Sequence, residues 1–307
     1  MSYLATYSIV ALDAEMGEFG VAVQSRAFRA GAIVPHAKAG VGAIASQALA
    51  NLSYGPKGLA LLEAGLSAAE TLEKLISEDE HREHRQLAVI DSQGRIAQHT
   101  GRECLAWAGH RAGASWAAQG NILASSEVIA AMGEAFEKTD GILAERLMAA
   151  LEAAQAAGGD RRGQQAGAIL VVRANAYFDG PFDRLVDIRV DDHPEPIREL
   201  RRLLEIALPS VYLLNTRFFL ERRAPERARA LLDRASRKNP QQPLVRLALV
   251  GYYAQTQQPS QALREIELLL AHAPSEDRES MKRYLRTNAF FAPLHHEREF
   301  QRLTSGY

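Results

Sequence analysis

Phe219, Pro225, Ala228 and Pro240 recur as Tyr253, Pro259, Ala262 and Pro274, every pair 34 residues apart. A period of that length is one supersecondary unit, and such units stack because none can bury its apolar face alone. The small alanine lets two helices approach, the aromatic fills the wedge between them, and the proline ends the pair. From about Pro194 the composition shifts to Arg, Leu, Ala and Glu with helical periodicity, so this part of the chain is expected to be all-α. Ser280 to Leu303 is expected to supply a degenerate third pair, giving about two to three pairs over residues 207–307.

The period, with its aromatic, small residue and closing proline, resembles the tetratricopeptide repeat. At 307 residues the chain has room for a second domain, since single cores stop growing near roughly 250–300 residues. Residues 1–206 are expected to form it. Tyr7 to Leu12 and Gly20 to Ser25 are β-rich runs joined across Gly17; Ala32 to Pro35 and Val41 to Ala45 continue the pattern. Pro56 to Ser77 turns helical, with Leu59, Leu62, Leu66, Leu72 and Leu75 at helical spacing and Ser67 as a candidate N-cap. Gln86 to Asp91 and Arg95 to His99 read as a hairpin, and Trp116 to Gln119 as a short strand. Helices over Ser125–Lys138 and Ile142–Ala157 precede strands over Ala166–Val172 and Leu185–Val190. Hairpins rather than βαβ units predict an α+β domain with two antiparallel-rich sheets between helical layers.

A net charge of −1 gives no electrostatic reason to expect nucleic acid or an anionic membrane as partner. The single cysteine, Cys104, fits a reducing compartment, and MSYLATYSIVALD has neither the basic nor the long apolar region of a signal peptide. No stretch reaches roughly 18 uncharged apolar residues. A cytoplasmic protein is the expectation. HExxH, CxxC, GxxxxGK[ST] and GxSxG are absent, and His81 with His84 and His295 with His296 read as solvated pairs, so neither metal nor cofactor is expected. The run Gly158-Gly-Asp-Arg-Arg-Gly gathers a carboxylate, two guanidinium groups and backbone amides where a carboxylate or amide could be gripped; as plain structure it is a helix C-cap and charged turn.

Eight runs carry a wider resemblance: Thr6-Tyr-Ser-Ile-Val-Ala, Gly20-Val-Ala-Val-Gln-Ser-Arg, Ala39-Gly-Val-Gly-Ala-Ile-Ala-Ser-Gln, Asn51-Leu-Ser-Tyr-Gly-Pro, Trp107-Ala-Gly-His, Gln119-Gly-Asn, Gly158-Gly-Asp-Arg-Arg-Gly-Gln-Gln and Val190-Asp-Asp-His-Pro-Glu-Pro. From about Thr6 to Leu204 the chain resembles the bacterial and archaeal domain of unknown function 1028, grouped with the N-terminal-nucleophile (Ntn) hydrolases. The resemblance implies a four-layer α/β/β/α sandwich and cleavage of a C–N amide bond in a small amino-acid-derived or peptide-like substrate. In that scheme Thr6 is the nucleophile and its own α-amine the base. Lys38 and Asp160 tune it, and Asn121 stabilises the oxyanion. Ser25, Arg26, Gln119 and Arg162 face the substrate. A homo-oligomer is expected by the same resemblance. Thr6 follows Met1-Ser-Tyr-Leu-Ala, so a free amine requires cleavage after Ala5. The rival expectation is a catalytically silent Ntn-like scaffold whose repeats bind a protein partner; Arg217, Arg222, Arg223, Arg227 and Arg229 would suit an acidic segment.

Overall fold

Alternating apolar residues and regularly placed turns give ten strands and ten helices among the described residues, 6–176 and 182–306 of a computed structural model. In chain order they are β1 (Thr6–Asp13), β2 (Glu18–Ser25), β3 (Pro35–Lys38), β4 (Gly42–Ala48), α1 (Tyr54–Glu63), α2 (Ala68–Ser77), β5 (Arg85–Asp91), β6 (Ile96–Thr100), β7 (Gly109–Ala112), β8 (Trp116–Asn121), α3 (Glu127–Lys138), α4 (Leu143–Ala156), β9 (Ala166–Val172) and β10 (Arg184–Val190). The helices α5 (Pro196–Glu221), α6 (Pro225–Lys238), α7 (Pro243–Gln255), α8 (Pro259–His272), α9 (Ser275–Thr287) and α10 (Arg298–Thr304) follow. The chain divides into two units, Met1–Leu204 and Glu205–Tyr307.

The first unit holds two antiparallel sheets, ordered β10-β9-β2-β1-β8-β7 and β3-β4-β5-β6. Val10, Leu12, Val21 and Val23 of one sheet share a core with Ala43, Ala45, Ala88 and Ile90 of the other, so the sheets pack face to face. Side chains alternate across a strand. Ile44, Leu87 and Val89 therefore point the opposite way, onto Tyr54, Leu62 and Leu75 of α1 and α2. α3 and α4 pack on the six-stranded sheet.

Three local expectations change. The helix expected over Pro56–Ser77 is two helices, broken where Gly65 takes a left-handed φ of +96°. Ser67 then restarts the helix with a capping box: its Oγ accepts the Glu70 N–H at 3.2 Å while the Ser67 N–H donates to Glu70 Oε2 at 2.8 Å. Ala32 to Pro35 is not a strand; residues Ala30–Ala32 form a 3-10 turn and β3 begins at Pro35, at the first position of an edge strand, where a missing N–H costs no ladder bond. The edge strand β7 went unread because its exposed His110 and Arg111 show no alternation.

In the second unit the repeat has a backbone counterpart. Arg223 and Gln257 both take φ +58°, 34 residues apart. Each closes a helix the same way: Ala224 N–H donates to Phe219 O and Gln258 N–H to Tyr253 O, both at 2.9 Å, while Arg223 and Gln257 donate to Leu220 O and Ala254 O. This is the Schellman end, with the repeated aromatic three positions before its cap. Pro225 and Pro259 then start the next helices, where their missing N–H is harmless. Ala228 and Ala262 are fully buried between helices. After α9 the chain forms a 3-10 segment, Ala289–Leu294, and the short α10, so the third pair is incomplete.

α5 contains Pro209 and is, among the described residues, long and apolar enough to cross a membrane by length and composition alone. Core helices of soluble proteins meet the same criterion, and 44% of its most apolar stretch is buried.

Candidate functional site

The apolar layer between the sheets turns polar at one end. On β1 the residues facing the other sheet are Thr6, Ser8, Val10 and Leu12, and the strand register sets Thr6 between Ser25 of β2 and Asn121 of β8, with Ser8 opposite Gln119. Gln47 and Gln86, paired across β4 and β5, face them from the second sheet. All seven are buried, Thr6, Ser8, Ser25, Gln47, Gln86 and Gln119 completely. Thr6 Oγ1 donates to Ser25 Oγ at 3.2 Å. Buried amides and hydroxyls must find partners or destabilise the fold, and here they find one another.

Backbone carbonyls fix the direction of the network. Gln86 Nε2 lies 2.8 Å from Gly120 O and 3.1 Å from Gly109 O; carbonyls only accept, so this end of the amide is the donor. Gln86 Oε1 therefore accepts, from Gln47 Nε2 at 2.8 Å and Asn121 Nδ2 at 3.1 Å. Gln47 Oε1 in turn accepts the Ser8 hydroxyl at 2.6 Å. Gln119 is oriented likewise, its Nε2 donating to Ala45 O at 3.0 Å. Within this network two buried side-chain carbonyl oxygens find no protein donor among the described residues, Asn121 Oδ1 and Gln119 Oε1. Asn121 Nδ2 spends one of its two N–H groups on Gln86, and its Oδ1 stays open as an acceptor.

Next to this end, the Gly158–Gly163 turn is stitched onto the chain leaving β8. Ala124 N–H donates to Gly159 O, Arg161 N–H to Ile122 O, and Leu123 bridges Asp160. The buried Asp160 carboxylate accepts from Arg26 N–H (3.0 Å) and from Arg162 through its backbone N–H (2.9 Å), Nε (3.3 Å) and Nη2 (3.1 Å). Arg26 Nη1 reaches Arg162 O at 3.3 Å, and both guanidinium groups are exposed. Tyr7, on the opposite face of β1 from Thr6, donates its hydroxyl to Gln155 Oε1; burial, and secondly the charge of Asp160, push its pKa well up.

The structure thus gathers Thr6, Ser25, Gln119 and Asn121 in one layer, with Asp160, Arg26 and Arg162 beside it. Lys38 does not join them. It pairs with Gly42, five residues along β4 from Gln47, which is roughly 17 Å at about 3.3 Å per residue. Its exposed ammonium meets Glu63 instead, so a role in tuning Thr6 is withdrawn. The segment Met1 to Ala5 lies outside the described residues. Sequence reasoning passed over Ser8, Gln47 and Gln86; the signal was a glutamine at the inward register position of two otherwise apolar strands.

A second polar cluster lies on the helix side of the smaller sheet, in a cleft of about 240 Å³ that Asn51, Tyr54 and His81 help to line. Asp79 Oδ2 accepts from Asn51 Nδ2 (3.1 Å), Tyr54 OH (2.8 Å) and Arg85 Nε (2.8 Å). Burial opposes its ionisation, but these hydrogen bonds win and hold its pKa well below the usual carboxylate range. Among the described residues no group of three or more His, Cys, Asp and Glu side chains is placed to hold a metal ion.

No curated protein matches the chain significantly. The tetratricopeptide repeat family matches residues 219–282. A crystal structure of protein SPO2555 from Silicibacter pomeroyi, described as a DUF1028 family member, is similar at 34% identity and a TM-score of 0.61, over 66% of this chain and 86% of that one. The family described as "Family of unknown function (DUF1028)" matches residues 6–200, more than half of the chain, and the chain belongs to it.

Proposed function

We propose that the first unit is an Ntn-type amide hydrolase, with the two packed sheets and their outer helices serving as that superfamily's four-layer sandwich. The reading rests on one observation: Thr6 heads an interior strand, inside the polar end of the inter-sheet layer, with its hydroxyl on Ser25 and Asn121 opposite. Cleavage after Ala5 would free the α-amine of Thr6. That amine takes the hydroxyl proton as Oγ1 attacks the substrate carbonyl, then delivers it to the departing amine; water cleaves the resulting ester, releases the acid and restores the hydroxyl. Asn121 Oδ1 and Gln119 Oε1 accept substrate N–H groups. Arg26 and Arg162, anchored at Asp160, hold a substrate carboxylate at the rim, which favours N-acyl amino acids or short peptides. The single cysteine supports a cytoplasmic setting.

The test is protein prepared with Thr6 as its first residue, assayed on a panel of N-acyl amino acids. Thr6→Ala is expected to lower turnover by roughly a thousandfold or more without loss of fold. Unchanged turnover removes Thr6 from the mechanism.

The second reading, a silent scaffold, draws on the complete burial of Thr6 and Ser25 and on the repeats, a type that suggests protein–protein interaction in general. Its mark is cellular function that survives Thr6→Ala but not deletion of the repeats.

A further inference from the structure

The polar layer does not end at Gln119 and Gln86; the strand register carries it on to the outer strands of both sheets. On the larger sheet Ser8 pairs with Gln119, and Gln119 with His110 of β7. On the smaller one Gln47 pairs with Gln86, and Gln86 with Thr100 of β6. Directly paired residues share a face of the sheet, so His110 and Thr100 lie in the same inter-sheet layer as the buried amides. β6 and β7 are edge strands, and the layer grades from fully buried Gln86 through half-buried Thr100 to exposed His110. Of these two facing rows, His110 alone changes charge near neutral pH.

The hydrogen bonds along this path run one way. Gln86 Nε2, a donor only, lies 3.0 Å from Thr100 Oγ1, so the hydroxyl oxygen accepts there. The hydroxyl's own hydrogen then goes to His110 Nδ1, 2.8 Å away, which makes the neutral imidazole an acceptor with its proton on Nε2. Bonds in series polarise one another, so Thr100, donating outward, is a better acceptor for Gln86. A second proton on His110 reverses the last link. Nδ1–H then points at Thr100 Oγ1, the hydroxyl must turn its hydrogen away, and the imidazolium competes with Gln86 for one oxygen. The two Gln86 hydrogens, shared among Thr100 and the carbonyls of Gly109 and Gly120, fall back on the carbonyls. Gln86 Oε1, which holds Asn121 and Gln47, belongs to the same amide and feels the change.

The surroundings of His110 favour its neutral form. Burial, and secondly the positive charge of His99 on β6, lower its pKa from the ordinary 6.5. β8 carries no titratable side chain. α3, with Glu127, Glu134, Glu137 and Lys138, packs on the other face of the sheet, the side to which Arg111 points. The loop entering β7 brings Glu103 and Arg102, the latter paired with Glu83. A threonine–histidine pair closing a sheet edge needs only its own hydrogen bond; it does not call for continuity with a buried amide in the same register.

We propose that His110 and Thr100 are positioning residues of this layer: the proton on His110, felt through the Thr100 hydroxyl, sets how Gln86 holds Asn121, the register partner of Thr6. The coupling rests on the hydrolase reading only for what it regulates, and its test needs no turnover.

The test is a pH titration of the full chain, followed by the His110 Cε1–H and Gln86 side-chain amide resonances. The imidazole is expected to titrate below its ordinary value, and the Gln86 resonances to move with the same midpoint. Thr100→Val should abolish the Gln86 movement while His110 still titrates; Thr100→Ser, which restores a hydroxyl, should keep it. His99→Gln should raise both midpoints together. Two results would overturn the proposal: Gln86 resonances that stay still while His110 titrates, or an equal movement in Thr100→Val. If the midpoints coincide but N-acyl amino acids are not turned over, the hydrolase reading fails and the coupling stands.

Discussion

Gln86 Oε1 accepts the Asn121 Nδ2 hydrogen bond at 3.1 Å, and that contact decides which end of the amide is the donor on the residue paired with Thr6. The decision is made further back, by the carbonyls of Gly109 and Gly120 that hold Gln86 Nε2. Gln86→Leu would leave both carbonyls, Gln47 and Asn121 without this partner. Leaving buried polar groups unmet costs about 1–3 kcal/mol each, and neighbours in one network do not add fully. A loss of about 3–5 kcal/mol in stability is expected by denaturant unfolding; a loss below about 1 kcal/mol would show that the relay does not organise this layer.

Asp160→Asn probes the adjoining turn. The carboxylate accepts four hydrogen bonds, from Arg26 and Arg162, and an amide can supply only one acceptor oxygen. Bonds to charged groups are worth about 1.5–3 kcal/mol each net of the water they replace, and bonds to one carboxylate do not add fully. The variant is expected to lose about 2–4 kcal/mol, and the Arg162 Nε–H resonance should move towards that of a solvated arginine. An unmoved resonance would mean that Asp160 does not anchor Arg162.

How much of this was legible beforehand depends on what each signal encodes. The period of 34 named the repeat because a helix pair has a fixed length, and Ser67 marked its helix start because a cap is local. Thr6, Ser25, Gln119 and Asn121 were named through family resemblance, and the antiparallel register then placed them side by side. Lys38 failed because position relative to a strand end does not say which end meets the site; Gly42 and Gln47 are on one strand, yet only Gln47 touches the polar layer. Gln47 and Gln86 were invisible as a pair because their contact crosses 39 residues and depends on sheet order.

Glu18 makes a pH prediction. Its carboxyl is buried against Arg173, with Oε1 2.9 Å from Nη1. Burial outweighs the attraction of Arg173 and raises its pKa from 4.5 to about 7, with a smaller push from Asp13. Between those values the native state holds a proton that the unfolded chain has released. The contribution is therefore complete below pH 4.5 and is lost as pH rises to about 7. The size is on the order of 3 kcal/mol, at about 1.36 kcal/mol per unit. Glu18→Gln, a neutral isostere of the protonated acid, should match the parent at low pH and lack this decline. A variant whose stability falls as steeply as the parent's over that range would show that another group is responsible.

The repeat offers the last test. Arg223 and Gln257 hold a left-handed backbone at the cap position where glycine is favoured, because a side chain there crowds the following carbonyl. Neither side chain is needed for the closing hydrogen bonds, which run from the backbones of residues 223, 224, 257 and 258. Gln257→Gly removes the crowding, and the extra freedom it gives the unfolded chain offsets part of the gain. A net stabilisation of about 0.5–1 kcal/mol is expected, with the same sign for Arg223→Gly, read as slower amide exchange in α7 and α8 for the first and in α6 for the second. Gln257→Pro inverts the test: proline fixes φ near −65° and removes the N–H that Ala254 O accepts, so the turn between α7 and α8 should open. If both glycine variants destabilise the repeats, the shared left-handed turn is not what terminates these helices.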